Sequence, residues 1–399
     1  MVQPGHAEIV GAGFGGLVAA ICLAQRGWRV RVHERRATVR GEGYGIAIHR
    51  NMAHIFETFG LLDGVLAGGM RIDRRDSMDR RGDVVMSAKT LRSSYRIDRQ
   101  HIIALLAQRA VDVGVEIRFE SEVIGATSEG VLRFHNGTAI SADLVVAADG
   151  VNSAIRDSLG LLRHRIWGAD GGVRVTIPRL PDEIAADDAE GTVMVEAWAD
   201  RRRVLFCPVT KGEMYVLLTC TLRDDAARVT PIDLATWSRS FPYLGALFER
   251  VRANANWTQA RWDHFQTIRL KRWSMGRVAV LGDAAHAMPP YLAQGAGHAM
   301  MNAMGLAVAL DATPDLDTAL ARWEASERPL TEHTQRWTRI YSGTMFLPSL
   351  AKRMAIRIER QIPWIAAQYA RTANHLPSGC VPHRAYSGAG SELTTIARP

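Results

Sequence analysis

Apolar positions at the start of the chain come in short runs broken by glycine. Ala7 to Val10 reads as a strand, Gly11 to Gly16 as a tight turn, Gly16 to Arg26 as a helix capped by Gly27, and Trp28 to His33 as a second strand ending at Glu34. A strand, a glycine turn and a helix feeding a parallel strand make a βαβ opening. Helical spacing recurs over 51–62 and 99–113. Short strands dominate from Val115 to Ala148, with a turn at Asn136-Gly137, and Asp143 to Ala148 is an apolar strand running into Asp149-Gly150. Past about residue 164 the texture changes: 172–178, 192–198, 202–209 and 213–221 alternate as half-buried strands of an antiparallel sheet do. Residues 277–281 return to a short apolar strand, followed by Gly282-Asp283 and a long helical stretch from about 295 to 341.

The pattern predicts an α/β protein. A Rossmann-like dinucleotide-binding domain (1–70, 99–163 and 275–341) is interrupted by a mixed or antiparallel β-sheet domain for substrate (71–98 and 164–274). C-terminal helices and a tail follow over 342–399, with fraying expected from Gly388. Nine of the ten Trp lie beyond residue 160, which predicts an aromatic-walled cavity in the inserted region.

Composition narrows the function classes. The 399 residues are 47% hydrophobic and carry 49 basic against 41 acidic side chains, a net charge of +8, and only Lys89, Lys211, Lys271 and Lys352 are lysines. Such a balance raises nucleic acid as a partner, but the Arg residues are scattered and interleaved with acids, so small anions are favoured and no nucleic acid is expected. Cys22, Cys207, Cys220 and Cys380 are far apart and read as reduced core residues. No HxH or HExxH occurs and Cys380-x-x-His383 has no second pair, so no metal is expected. No apolar run reaches the roughly 18 residues of a membrane span. A strand begins within about five residues of Met1, leaving no room for a signal peptide, so a soluble, cytoplasmic protein off the membrane is expected.

Three motifs carry chemistry. Gly11-Ala12-Gly13-Phe14-Gly15-Gly16 fits G-x-G-x-x-G between a strand and a helix, and Glu34 closes the next strand 18 residues after Gly16. Backbone N–H groups at the helix start would take a pyrophosphate, and the carboxylate would accept from ribose hydroxyls. The pattern alone does not separate FAD from NAD. Asp149-Gly150-Val151-Asn152-Ser153-Ala154-Ile155-Arg156 is a strand-turn-helix with Asp, Ser and Arg at fixed spacing. Gly282-Asp283-Ala284-Ala285-His286 runs on through Pro289-Pro290-Tyr291-Leu292-Ala293-Gln294-Gly295-Ala296-Gly297 into a helix, a second site for an anion and a ribose-like chain.

In this order, the motifs resemble the single-component flavoprotein aromatic hydroxylases, the group built like para-hydroxybenzoate hydroxylase, over roughly residues 6–340. The last motif and the inserted sheet are similar to those of the 2-methyl-3-hydroxypyridine-5-carboxylate oxygenases in that group. The resemblance implies FAD held by Gly11, Gly13, Phe14, Gly15, Glu34, Arg35, Arg40, Gly45, Arg99, Val123, Asp149, Arg156, Asp283, Gly295, Ala296 and Gly297. It implies substrate contacts from Arg174, Arg203, Tyr215 and Tyr291, with Tyr215 and Pro290 at the chemistry. NADH or NADPH would be a transient electron donor, since no second G-x-G-x-x-G occurs. The implied reaction takes one oxygen atom from O2 through a flavin C4a-hydroperoxide to a hydroxylated aromatic or N-heteroaromatic acid, a pyridine derivative fitting well, with ring opening as a variant outcome. A monomer or homodimer is expected. Against the usual family pattern, Ala293 stands for Gly and Asn302 for Asp, departures at which the chain resembles the pyridine oxygenases, while Arg74-Arg75 stand where a pocket Tyr of those oxygenases is expected. Two other readings remain open at this point: a flavin-dependent oxidase or reductase on the same fold, and a non-catalytic flavin- or nucleic-acid-binding protein.

Overall fold

The computed structural model describes residues 1–39, 41, 45–89, 94–344 and 346–381. Arg40, His383 and the tail from Gly388 lie outside the described residues. The chain is a mixed α/β protein. Its first body is organised on a six-stranded sheet in the order Ser274–Met275, Val278–Val280, Leu144–Ala147, His6–Val10, Arg29–His33 and Glu116–Arg118. All neighbours in it run parallel except the short first pair. The inner strands are buried on both faces, with the helix Phe14–Ala24 packed on the sheet and Phe134, from the strand Val131–Phe134 of a small antiparallel sheet, packed on His33.

The first helix runs Phe14–Ala24, two residues earlier than the spacing suggested, with Gly13 in extended conformation (φ −89°) as its cap. Residues Phe14 to Leu23 are all buried, so the helix packs on the sheet on one side and against the helix Gly295–Ala312 on the other. A Cβ on Gly15 would lie 2.6 Å from Leu281 Cδ1 and 3.3 Å from Ala299 Cβ, which shows how closely these elements approach.

A seven-stranded sheet forms the second body, in the order Trp262–Leu270, Leu162–Pro178, Glu213–Thr221, Arg202–Pro208, Val193–Ala199, Arg74–Met78 and Val84–Lys89. Its neighbours are antiparallel except Val193–Ala199 with Arg74–Met78. One face packs Val173, Val175, Val204, Val216 and Leu218 against Trp237, Phe241 and Phe248 on the helices Leu234–Ser240 and Gly245–Asn254. The opposite face presents Met194, Leu205, Cys207, Tyr215 and Leu217 toward the first body.

Two expectations change. The helical stretch 295–341 is two helices, Gly295–Ala312 and Leu316–Thr344. The break falls where Pro314 forces Thr313 into extended backbone (φ −130°, ψ 148°), and Asp315 Oδ1 then accepts from Thr318 N at 2.9 Å to start the next helix. The stretch 51–62 likewise divides into Arg50–Thr58 and Leu62–Ala67, around Gly60 at φ +70°.

Trp237 is fully buried, with its ring 6.4 Å from Phe241 and 6.0 Å from Phe248. Truncating such a ring removes its transfer free energy and leaves a cavity, so Trp237→Ala is expected to destabilise by about 3–5 kcal/mol. The midpoint of urea unfolding measures this, and an unchanged midpoint would show that the second core does not depend on the ring.

Candidate active site

One cleft of about 2190 Å³ lies between the two bodies. That is roughly twice the ~1,000 Å³ at the upper end for a single drug-sized ligand, so it has room for a dinucleotide and a second molecule. The strand His6–Val10 delivers its glycine turn to one end. Gly11 adopts φ +103°, and a Cβ on Gly16 would lie 1.9 Å from the Gly11 carbonyl oxygen, so the helix can begin over the strand end only with glycine there. Glu34 Oε2 accepts from Ala12 N at 3.1 Å and Oε1 from Arg36 N at 3.0 Å, which fixes the carboxylate at the cleft edge.

Nearly all the residues expected at the cofactor meet along this wall. Gly11, Gly13, Phe14, Gly15, Glu34, Arg35, Gly45, Arg99, Val123, Asp149, Asp283, Gly295 and Ala296 line the cleft. Arg99 starts the helix Arg99–Asp112 and stacks its guanidinium over Phe14 at 5.2 Å. Burial raises the pKa of Asp149, against hydrogen bonds from Ser153 and Ile155, and its Oδ1 has no partner in the protein. Asp283 faces the open cleft from a deep position, where crowding by protein raises its pKa and the charges of Arg99 and Arg174 oppose this.

Two expected cofactor contacts are corrected. Arg156 does not line the cleft. Its fully buried guanidinium donates to Val151 O at 3.0 Å, Ala284 O at 3.2 Å and Asp157 Oδ1 at 2.8 Å, tying the Asp149 turn to the Asp283 helix from behind. Gly297 also lies off the cleft, because the helical turn carries it inward. A Cβ there would sit 3.0 Å from Asn51 Nδ2, so this glycine serves close packing.

The other end of the cleft is walled by the inward face of the seven-stranded sheet and by Pro290, Tyr291 and Leu292. Arg174, Arg203, Tyr215, Tyr291 and Pro290 all line it. The arginines are not free for a ligand carboxylate, however. Arg174 Nη1 donates to Asp263 Oδ2 at 2.8 Å. Arg203 and Arg75 both bond to the buried Glu196, and Arg75 Nη2 also lies 3.1 Å from Tyr341 Oη. Burial alone would raise the pKa of Glu196, but the two guanidinium groups outweigh it and hold the carboxyl ionised, well below the usual range. Tyr291 hydrogen-bonds Asp170, and Arg203 lies over its ring at 5.2 Å. Burial pushes the Tyr215 pKa upward against the charges of Arg174, Arg96 and Arg203, so the phenol stays protonated.

No Trp stands among the described residues that line the cleft; its aromatic lining is Phe14 at the cofactor end and Tyr215, Phe265, Tyr291 and Tyr369. The tryptophans instead fill cores, as Trp237 and Trp273 do, or lie at the surface, as Trp364 does. Sequence reasoning missed Glu196, although a charged residue inside the apolar strand Val193–Ala199 is a readable signal. It also missed the wall supplied by Pro363–Ala370, for which no signal stands out. Ala293 takes φ +51° in the bend that brings Pro290 to the cleft, which explains why glycine is usual there.

The residues present fit FAD. Gly13 has open space where a Cβ would point, Asp149 keeps an unpartnered buried oxygen, and the N-terminus of Gly295–Ala312 opens on the cleft between the two ends. Gly13→Ala should therefore fold normally and lose flavin affinity, whereas Gly16→Ala should lower the Tm and the yield of folded protein. Flavin content per folded chain and thermal melting separate the two; equal melting losses would count against this division of roles.

Comparison with known proteins agrees with this geometry. An FAD binding domain family model matches residues 6–326. A 2-heptyl-3-hydroxy-4(1H)-quinolone synthase of Mycobacteroides abscessus is 41% identical over 84% of this chain and 89% of its own. A probable enzyme of the same name from Rhodococcus erythropolis is 38% identical over 88% and 92%. The solved tetrameric form of 2-methyl-3-hydroxypyridine-5-carboxylic acid oxygenase superposes with a TM-score of 0.82 at 33% identity, covering 95% of this chain and 98% of that one. The chain belongs to the FAD-dependent aromatic monooxygenases.

Proposed function

We propose that the protein uses NAD(P)H and O2 to hydroxylate an N-heteroaromatic ring bearing a ring oxygen, of quinolone or pyridine type. In balance, ring C–H, O2, NAD(P)H and a proton give ring C–OH, water and NAD(P)+. The observation that carries the substrate class is the pairing of Arg174 with Asp263 and of Arg203 with Glu196. Those pairs remove the reason for expecting an acid, and the surface beside them is apolar, from Met86, Met194, Leu205 and Leu217. The quinolone synthases and the pyridine oxygenase bear names consistent with such rings.

FAD, when bound, supplies the electrons that activate O2. The protein's own part is binding, orientation and exclusion of water. Gly11, Gly13, Gly15, Glu34 and Arg35 would take the adenosine and pyrophosphate end, and Arg99, Asp149 and Asp283 the chain toward the reactive ring. The partial positive charge at the start of Gly295–Ala312 favours negative charge beside it. Pro290, Tyr291 and Leu292 form a stiff wall that keeps water from the reacting centre. Tyr215, held protonated by burial, would donate to the substrate's ring oxygen. The nicotinamide donor binds transiently in this reading, without a nucleotide fold of its own.

A screen of quinolones, hydroxypyridines and hydroxybenzoates for stimulated NADH and NADPH oxidation tests the proposal. Under 18O2 the product should gain one labelled oxygen, and if the ring opens the second added oxygen should come unlabelled from water. Substrate-stimulated H2O2 without labelled product would instead identify an oxidase or reductase. Tyr215→Phe should keep FAD and lower kcat/KM by about 10–100-fold, in line with loss of one buried hydrogen bond to a developing charge. Unchanged kinetics would remove Tyr215 from the chemistry.

A further inference from the structure

The surroundings of Tyr215 single out a residue that the motifs did not. Three guanidinium groups, those of Arg96, Arg174 and Arg203, act on its phenol, and all three line the cleft. Two of them have protein carboxylates: Asp263 for Arg174 and Glu196 for Arg203. Arg96 has no carboxylate partner among the described residues. It lies on Tyr95–Ile97, the middle strand of a small antiparallel sheet, opposite Ala47 on one side and Met70 on the other. Its side chain is half-buried, and Nη2 lies 3.0 Å from Met194 Sδ, a weak acceptor.

The other groups on which its charge acts supply no anion either. Burial, and then Arg96 itself, lower the His49 pKa to about 4, so that ring is neutral. Burial raises the pKa of the Cys207 thiol, against the charge of Arg96 and a hydrogen bond from it, and raises that of the Tyr215 phenol, so both keep their protons and Cys207 is a neutral partner. A guanidinium does not shed its proton, and holding it partly desolvated without a counter-charge costs free energy that an oxygen acceptor would offset. Of the three cations around Tyr215, two are neutralised by the protein and one is left for a ligand. The same strand leads directly through Asp98 to Arg99 at the helix start, so Arg96 and Arg99 line one cleft from adjoining elements.

We propose that Arg96 binds the ring oxygen of the substrate, with the Tyr215 phenol donating to the same atom. This rests on the reading of the cleft as a monooxygenase site and narrows its substrate: one oxygen acceptor on the ring is recognised by charge, and a ring carboxylate is not required. Arg96 is thereby a specificity-determining residue.

The test compares two probes on the FAD-loaded enzyme, 2-heptyl-4(1H)-quinolone and 2-heptylquinoline, which lacks the ring oxygen. Binding is read from perturbation of the flavin absorbance, with flavin content and Tm checked for each variant. The wild type should prefer the quinolone by about 10–100-fold, the worth of a charge-assisted hydrogen bond. In Arg96→Gln the preference should collapse toward parity, and Arg96→Lys should restore part of it, charge without the planar fork. If the glutamine variant does not retain flavin, the lysine variant alone carries the comparison and should show a reduced preference. Equal preference in wild type and variants overturns the assignment while leaving the proposed function intact. So does a quinoline-4-carboxylate that loses more from Arg96→Gln than the quinolone does, because the residue would then serve an acid. A wild-type enzyme that binds none of the probes, and none of the pyridines or benzoates of the screen, overturns the proposed function and this inference with it.

Discussion

The Gly11 carbonyl oxygen lies 1.9 Å from where a Cβ of residue 16 would stand, and much of the cofactor end follows from that contact. Because the helix Phe14–Ala24 can start directly over the end of His6–Val10, its unpaired N–H groups face the cleft. The next strand then ends where Glu34 can accept from Ala12 N, and the carboxylate becomes part of the same wall. The helix itself is apolar on every side, so Gly295–Ala312 covers it, and this second helix brings its own N-terminus to the cleft. A backbone contact thus sets where two helix dipoles and one carboxylate meet.

The substrate end is organised by a different force, the cost of burying charge. Glu196 is fully buried and survives as an anion only because Arg203 and Arg75 hold it. That arrangement fixes two long side chains at the wall of the cleft while removing most of their attraction for a ligand anion. Asp263 does the same for Arg174 from a more exposed position, where solvent screens the pair. The result is a substrate end in which Arg75, Arg174 and Arg203 already have their counter-charges from the protein.

Local rules were enough for the βαβ opening, the four alternating strands between 172 and 221 and the breaks at glycine, since each depends on residues close in sequence. The FAD-binding nature of the first body was legible from three ordered motifs. What the sequence concealed depends on partners far along the chain. Arg156 belongs to a motif and yet points away from the cleft, because Ala284 O lies behind it, 128 residues on. The tryptophans cluster in the right half of the chain but fill cores, since a large ring is most stabilising where water is excluded on all sides. The pairing of Arg174 and Arg203 with Asp263 and Glu196 needs the register of the folded sheet, which no single strand encodes. Ala293, by contrast, stood out as a departure from the usual glycine, and its φ of +51° gives that departure a physical meaning.

The strand Leu162–Pro178 is 17 residues long and pairs with Trp262–Leu270 along much of its length. Ile268 and Leu270 at one end sit in the first core, and Val173, Val175 and Ile177 at the other sit in the second. A paired ribbon anchored at both ends resists bending as a single strand would not, so it acts as a strut across the cleft. The two bodies are thus joined here by paired, hydrogen-bonded backbone and not by a single covalent strand. Movement of one body against the other would have to bend this ribbon, and the register shift between Trp167 and Gly171 is where regular pairing holds it least.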